Sequence, residues 1–241
     1  MLGKRVVQEA ERRGHIVEDP NIRFGTDFSW ALFAESDTII NCAGSIPFKK
    51  DPADTMVIAN TLGPWQLALA AKSWGCRLVH MSTDAVYSGL PDVLHPRRKL
   101  PDPIDLYGKS KLAGESQGKN VVVVRGSFIG PDHGFFKWIV EATGSIQAWT
   151  KVTWNGGSVQ AMARELVNLA EGNEEGVFNV AAEDPVTKAW MIKYIIENLD
   201  SQIETINLVD KPIVKRDLIP DIFLPSVKDS LDELIAEVNE S

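Results

Sequence analysis

Apolar and polar positions keep two rhythms along this chain. Leu2, Val6, Val7 and Ala10 fall on one side of a helix predicted over residues 2–13, and Gly14 follows as its stop. Residues 15–18 read as a short strand. Residues 37–42 form a second strand, apolar on both faces as buried parallel strands are. A long helix is predicted over 51–74, interrupted near Gly63-Pro64. Further strands are predicted at 77–81, 121–125 and 176–180. Helices are predicted over 135–143, 158–171, 187–199 and 231–238. The helix over 158–171 carries Val159, Met162, Ala163, Leu166, Val167 and Ala170 on one face. Helices that alternate with such strands predict an α/β protein with a doubly wound parallel sheet.

No repeat or low-complexity segment interrupts this pattern. Residues 91–103 form its one long loop, with four prolines and the run Arg97-Arg98-Lys99. A flap over a site and a solvated connection are both open readings of it. The 241 residues are 44% hydrophobic, enough for one α/β domain or one core with a small attached lobe. The net charge of −8 argues against general binding to nucleic acid or to an anionic membrane. A local basic pocket can still take an anionic small molecule. Cys42 and Cys76 lie in apolar runs and read as free thiols of a reducing compartment. Apolar runs fall short of the ~20 residues that span a bilayer, and no secretory signal is visible. A cytoplasmic protein is therefore expected. His15, His80, His95 and His133 show no metal-site spacing, so no metal is expected.

The chemistry concentrates at Tyr107-Gly108-Lys109-Ser110-Lys111, where a polar loop turns into a helix. Residues i and i+4 share a helix face. A nearby ammonium eases ionisation of a phenol, and such a phenol can exchange a proton with a substrate oxygen. Taken alone, the pair would be an ordinary helix start. Upstream, however, His80-Met81-Ser82-Thr83-Asp84-Ala85-Val86-Tyr87 runs from an apolar strand into hydroxyl and carboxylate residues.

Strand, hydroxyl and Tyr-x-x-x-Lys together resemble the extended short-chain dehydrogenase/reductases, and within them dTDP-4-dehydrorhamnose reductase and its relatives. The resemblance rests on Asn41-Cys42-Ala43-Gly44, Ser82-Thr83-Asp84 with Val86, the run from Tyr107 to Glu115, and Asp27-Phe28-Ser29. It implies a Rossmann-like sheet, its first strand absent, with a small α/β substrate lobe. Residues 1–126, with 158–180 returning to them, would bind the dinucleotide; 127–157 and 181–241 would form the lobe. The implied cofactor is NADP(H) or NAD(H), the substrate a nucleotide-activated 4-keto sugar, and a homodimer is one implied assembly. Thr83, Tyr107 and Lys111 match the family's catalytic trio. Tyr107 would protonate the carbonyl oxygen as hydride arrives. Lys111 would lower the phenol's pKa and hold the nicotinamide ribose, and Thr83 would orient the carbonyl. Cofactor contacts would fall on Leu2, Gly3, Asp27, Phe28, Cys42, Ala43, Gly44, Met81, Ser82, Tyr107, Lys111 and Phe128.

Two departures qualify the resemblance. The family's Gly-x-x-Gly-x-x-Gly turn takes a pyrophosphate at a helix N-terminus. Met1-Leu2-Gly3 resembles only its tail. The expectation is a fragment, or a variant that has given up tight cofactor binding. The reductase's Val-Asp-x-x-Glu and Thr-Ser-Trp runs become Ile46-Pro47-Phe48-Lys49-Lys50 and Gly126-Ser127-Phe128, which leaves the sugar open. Ala85 stands where related 4,6-dehydratases place a glutamate. Alanine moves no proton, so simple hydride transfer fits better. An epimerase or other nucleotide-sugar redox enzyme and a non-catalytic regulatory subunit stay open. Trp138, Trp149 and Trp154 either stack on a base or sugar or fill the lobe's core. Lys137, Lys151 and Arg216 either meet a diphosphate or stay solvated. Asn155-Gly156-Gly157 is a turn by its chemistry. Glu9 and Glu115 read as ordinary helix-face carboxylates. Residues 18–23 hold both carboxylates and an arginine, so they do not choose between NAD and NADP.

Overall fold

The computed structural model describes residues 1–20, 22–25, 33–47, 50–90 and 100–240. The elements run α1 (Leu2–Arg12), β1 (Thr38–Asn41), α2 (Ala53–Val57), α3 (Gly63–Trp74), β2 (Arg77–Met81), α4 (Leu106–Ala113), β3 (Val121–Arg125), β4 (Phe128–Ile129), α5 (Phe135–Val140) and β5 (Thr143–Trp149). Then follow β6 (Val152–Trp154), β7 (Gly157–Ser158), α6 (Val159–Glu171), β8 (Gly176–Ala181), β9 (Val186–Thr187), α7 (Lys188–Asn198), β10 (Gln202–Val209), β11 (Val214–Arg216), β12 (Ile222–Phe223) and α8 (Val227–Asn239). The main sheet has the order β1-β2-β3-β8-β12, and every neighbouring pair is parallel.

Val122, Val123 and Val124 of β3 are fully buried because helices cover both faces of this sheet. On one face α1 and α6 pack through Leu2, Val6, Ala10, Met162 and Leu166. On the other, Leu67 and Ala71 of α3 meet Ile39, Leu78 and Val123. The Ser158 hydroxyl starts α6 by accepting from the Ala161 N–H at 2.9 Å.

The helix predicted over 51–74 is not interrupted at Gly63-Pro64. It runs on through a π-helical turn at Ile58–Leu62. Pro64 has no N–H to offer the carbonyl four residues back, and the wider turn absorbs the mismatch. Residues 15–18 are not a strand. Ile16 is 99% exposed, and no strand among the described residues pairs with them.

The lobe holds a second core around Phe136, Ile139, Met191, Ile192, Leu231 and Leu234, drawn from α5, α7 and α8. Beside it β10 pairs with β5 and β11 with β6, both parallel. The sequence pattern does not reveal these four strands, since β10 is exposed or half-buried throughout and shows no apolar run. Ile222–Phe223, in the stretch the sequence reading gives to the lobe, returns to the main sheet beside β8.

Candidate active site

Thr83, Tyr107 and Lys111 meet where β2 ends, at the strand ends where a parallel sheet presents its loops. Asp105 caps α4, its carboxylate accepting from the Gly108 N–H at 2.7 Å, so Tyr107 falls in the first turn. Two glycines let this helix sit close to its supports. A Cβ at Gly108 would come within 2.2 Å of the Ala85 carbonyl oxygen, and one at Gly114 within 2.0 Å of the Asn60 carbonyl oxygen. No larger residue permits either approach. The π-helical turn carries Asn60 to this contact. Its side chain is fully buried and bonds Ser45 N–H, Ser45 C=O and Ser110 Oγ at 2.9, 2.9 and 3.0 Å.

The Thr83 hydroxyl stands near the Tyr107 phenol and favours its ionised form. It also donates to Asp84 Oδ1 at 3.1 Å and accepts from the Ala85 N–H at 3.2 Å. Lys111 is only 4% exposed. Its ammonium donates to the Met81 carbonyl oxygen at 2.6 Å. Burial pushes it down to about 8, with the Glu115 carboxylate acting against that shift.

The tyrosine differs from the sequence expectation. Burial pushes the Tyr107 phenol up to about 12, reinforced by the Asp84 and Asp105 charges. The Thr83 hydroxyl and the Arg216 cation pull the other way. The Lys111 ammonium donates to the Met81 carbonyl oxygen and does not offset this burial.

Glu115 is also not an ordinary helix-face carboxylate. It is buried and accepts from Ser82 Oγ at 2.7 Å, Arg125 Nε at 2.9 Å and Arg125 Nη2 at 2.6 Å. Arg125 Nη1 goes on to Tyr87 Oη at 2.8 Å. Glu115 lies just past the end of α4, so helical spacing did not mark it out. Asp84 is buried beside Thr83. Burial raises its pKa, while Arg216, Thr83, Ser127 and Lys188 act to lower it.

Other expected residues are spread more widely. A Cβ at Gly44 would stand 3.1 Å from Asn60 Oδ1 and 3.8 Å from Lys111 Nζ. Cys42 is half-buried, with its thiol pushed up to about 12 by burial. Ala43 is exposed, and its N–H donates to Asn41 Oδ1 at 3.0 Å. Gly3 adjoins this loop, its added Cβ lying 3.7 Å from Cys42 Cβ. The Leu2 side chain lies in the core. Ser82 turns its hydroxyl to Glu115, and Phe128 is half-buried on β4. Asp27 and Phe28 lie outside the described residues, as does most of the 91–103 loop. Lys137 and Lys151 pair at the surface with Glu141 and Asp210. Glu9 pairs with Arg12 and Arg13 on α1. Trp154 is buried, whereas Trp138 is 42% exposed against Trp149. Asn155 is buried and bonds the Ala182 and Leu218 backbones.

A parallel sheet flanked by helices, with threonine at a strand end and Tyr-x-x-x-Lys opening the next helix, defines a Rossmann-type protein of the short-chain dehydrogenase/reductase class. The family model described as "RmlD substrate binding domain" matches residues 30–216, and the chain belongs to that family. It is 26% identical over 219 residues to "Probable low-salt glycan biosynthesis reductase Agl14" of Haloferax volcanii, covering 78% of this chain and 73% of that protein. It is 25% identical over 186 residues to dTDP-4-dehydrorhamnose reductase of Sinorhizobium fredii, covering 69% of this chain and 62% of the relative. The solved structure of dTDP-4-dehydrorhamnose reductase from Bacillus anthracis in complex with NADP matches with a TM-score of 0.84 at 20% identity, over 98% of this chain and 95% of that one.

Proposed function

We propose that the protein is a reductase of the dTDP-4-dehydrorhamnose reductase type, using NADP(H) or NAD(H) to reduce a nucleotide-activated 4-keto sugar. The observation that carries this reading is the buried Tyr107 phenol beside the Thr83 hydroxyl, with Lys111 buried at the end of β2. The residues also fit a nicotinamide cofactor. The 41–44 loop is bare at Gly44, beside the Lys111 ammonium, and Gly3 of α1 adjoins it. Lys111 would hold the ribose there, with Cys42, Ala43 and Phe128 nearby. When bound, the nicotinamide supplies the hydride.

Tyr107 gives its proton to the carbonyl oxygen. A phenol pushed up to about 12 stays protonated at neutral pH, which is the form a reduction needs. Thr83 is held by Asp84 and Ala85, which fixes its hydroxyl oxygen, and its one O–H would turn from Asp84 to the carbonyl oxygen when substrate binds. Residues 1–126 with 158–180 would bind the dinucleotide, and 127–157 with 181–241 the sugar nucleotide. A cytoplasmic homodimer belongs to this reading. No helix among the described residues is long and apolar enough to cross a membrane.

The test is NADPH absorbance loss with a dTDP-4-keto-6-deoxy sugar. Tyr107→Phe should lower kcat by about 10²–10⁴-fold while NADPH still binds. Unchanged turnover in that variant would overturn the reading.

A further inference from the structure

His80 is a buried titratable side chain that the proton and hydride transfer do not use. It sits on β2 with no exposure, directly across from Asn41 of β1 in the parallel register. Asn41 is buried as well. Its amide Nδ2 lies 3.0 Å from His80 Nδ1. Its Oδ1 accepts from the Ala43 N–H at 3.0 Å.

These two contacts decide where the ring's proton sits. The Ala43 N–H needs an acceptor, so the Asn41 amide turns its oxygen to Ala43 and its NH2 group to the ring. An NH2 group only donates, so His80 Nδ1 must accept, and the neutral ring carries its N–H at Nε2. Nε2 is buried and has no hydrogen-bond partner among the described residues, so no competing contact selects the other tautomer. A proton added at Nδ1 would set two donors face to face. Burial, with the Lys111 cation, holds the imidazole well below its ordinary pKa. His80 thus carries a fixed lone pair rather than a switchable charge.

An aliphatic residue would fill this strand position without the cost of burying a polar ring. What the ring adds is the aim of Asn41. Asn41 in turn ties down the Ala43 N–H in the loop that sets Cys42 against Gly3 and leaves Gly44 bare near Lys111 Nζ. Met81, the next residue of β2, holds Lys111 through its carbonyl oxygen. Two consecutive residues of one strand therefore set both the loop and the ammonium that the cofactor reading uses.

We propose that His80, as its neutral Nε2–H tautomer, is a positioning residue for the cofactor, holding Asn41 in the orientation that fixes the 41–44 loop. This rests on the reading of that loop as part of a nicotinamide-nucleotide site. His80 acts through Asn41 and touches neither cofactor nor substrate.

Calorimetry on the full chain with NADPH tests it. His80→Leu removes the lone pair and should weaken binding about tenfold. His80→Asn places an oxygen where Nδ1 stood and should recover most of the affinity. Asn41→Ala should lose at least as much as His80→Leu, and the double variant His80→Leu/Asn41→Ala no more than Asn41→Ala alone. In turnover, His80→Leu should raise the KM for NADPH about tenfold and leave kcat within about twofold, since Thr83, Tyr107 and Lys111 are untouched. Nitrogen NMR of the histidine-labelled wild type, with His80→Asn to assign the signal, should show Nε2 protonated and Nδ1 bare at neutral pH. That spectrum needs no variant to bind and no cofactor to be present. A proton on Nδ1 overturns the proposal. So do additive losses in the double variant, a His80→Asn that binds as weakly as His80→Leu, or a His80→Leu that binds like the wild type. Binding as described, with Tyr107→Phe turning over normally, would remove the reductase reading and keep this one. Keto-sugar turnover that depends on Tyr107, with NADPH held equally by His80→Leu, would do the reverse.

Discussion

The two sides of Tyr107 handle charge differently. Toward the sheet, Glu115 and Arg125 are buried as a matched pair, with Ser82 and Tyr87 taking up further hydrogen-bonding capacity. Toward the lobe, Lys188 lies among rings and Arg216 keeps a buried N–H without an acceptor. A satisfied buried pair is a finished piece of structure, and removing one partner strands the other. A guanidinium with one buried N–H left unpaired is not closed in this way. The same residue types thus form a closed network on one side and an open one on the other.

Breaking the sheet side should have the largest effect on stability. Glu115→Gln leaves the Arg125 guanidinium buried without its counter-charge. It should cost about 3–5 kcal/mol, read as a fall in the urea midpoint. The double variant Glu115→Gln/Arg125→Met should recover part of that loss, because both charges are then gone. A single variant as stable as the wild type would mean that the pair is solvated. Arg216→Gln offers the contrast. It removes a cation that no folded-state acceptor satisfies at Nε, so its stability should change far less.

Packing gives the next effect. Val123 sits on β3 with no exposure, covered on its face by Leu67, Ala71 and Leu78. Val123→Ala removes two methyl groups and leaves a void. The expected cost is about 2 kcal/mol in chemical denaturation.

A pH titration sharpens the comparison at smaller energy. Burial holds Lys111 below its ordinary value, at about 8, so its ammonium is lost as pH rises through that point. NADPH affinity should be flat below about pH 8 and fall by up to about tenfold per unit above it. Lys111→Met should bind weakly with no such slope. A slope that survives in Lys111→Met would assign the titration to another group, with Lys188 the first to examine.

The sequence carried the local half of this arrangement. Tyr107 and Lys111 lie one helical turn apart, and a valine run such as 121–124 needs no distant partner to be read as a buried strand. The pairing of Glu115 with Arg125 depends on β3 lying beside the end of α4, which spacing does not encode. Lys188 and Arg216 act electrostatically on Asp84 from α7 and β11, elements far from it in the chain. Spacing also misjudged the phenol. It put an ammonium on the same helix face but carried nothing of the burial that raises the phenol, and that ammonium donates to the Met81 carbonyl. The 51–74 helix shows the same limit. Gly63-Pro64 reads as a break, but the π-helical turn accommodates it and delivers Asn60 to the site.

The smallest effect tests the lobe's outer surface. Leu208 on β10 lies opposite Ala148 on β5 and is 56% exposed. If that face meets water, Leu208→Ser should shift stability by no more than about 0.5 kcal/mol. Val123 and Leu208 are both apolar strand residues, so the ratio of the two losses measures how far burial rather than residue type decides. A loss at Leu208 close to that at Val123 would mean the face is covered in solution. If that loss also grew on dilution, the cover would be a second copy of the chain.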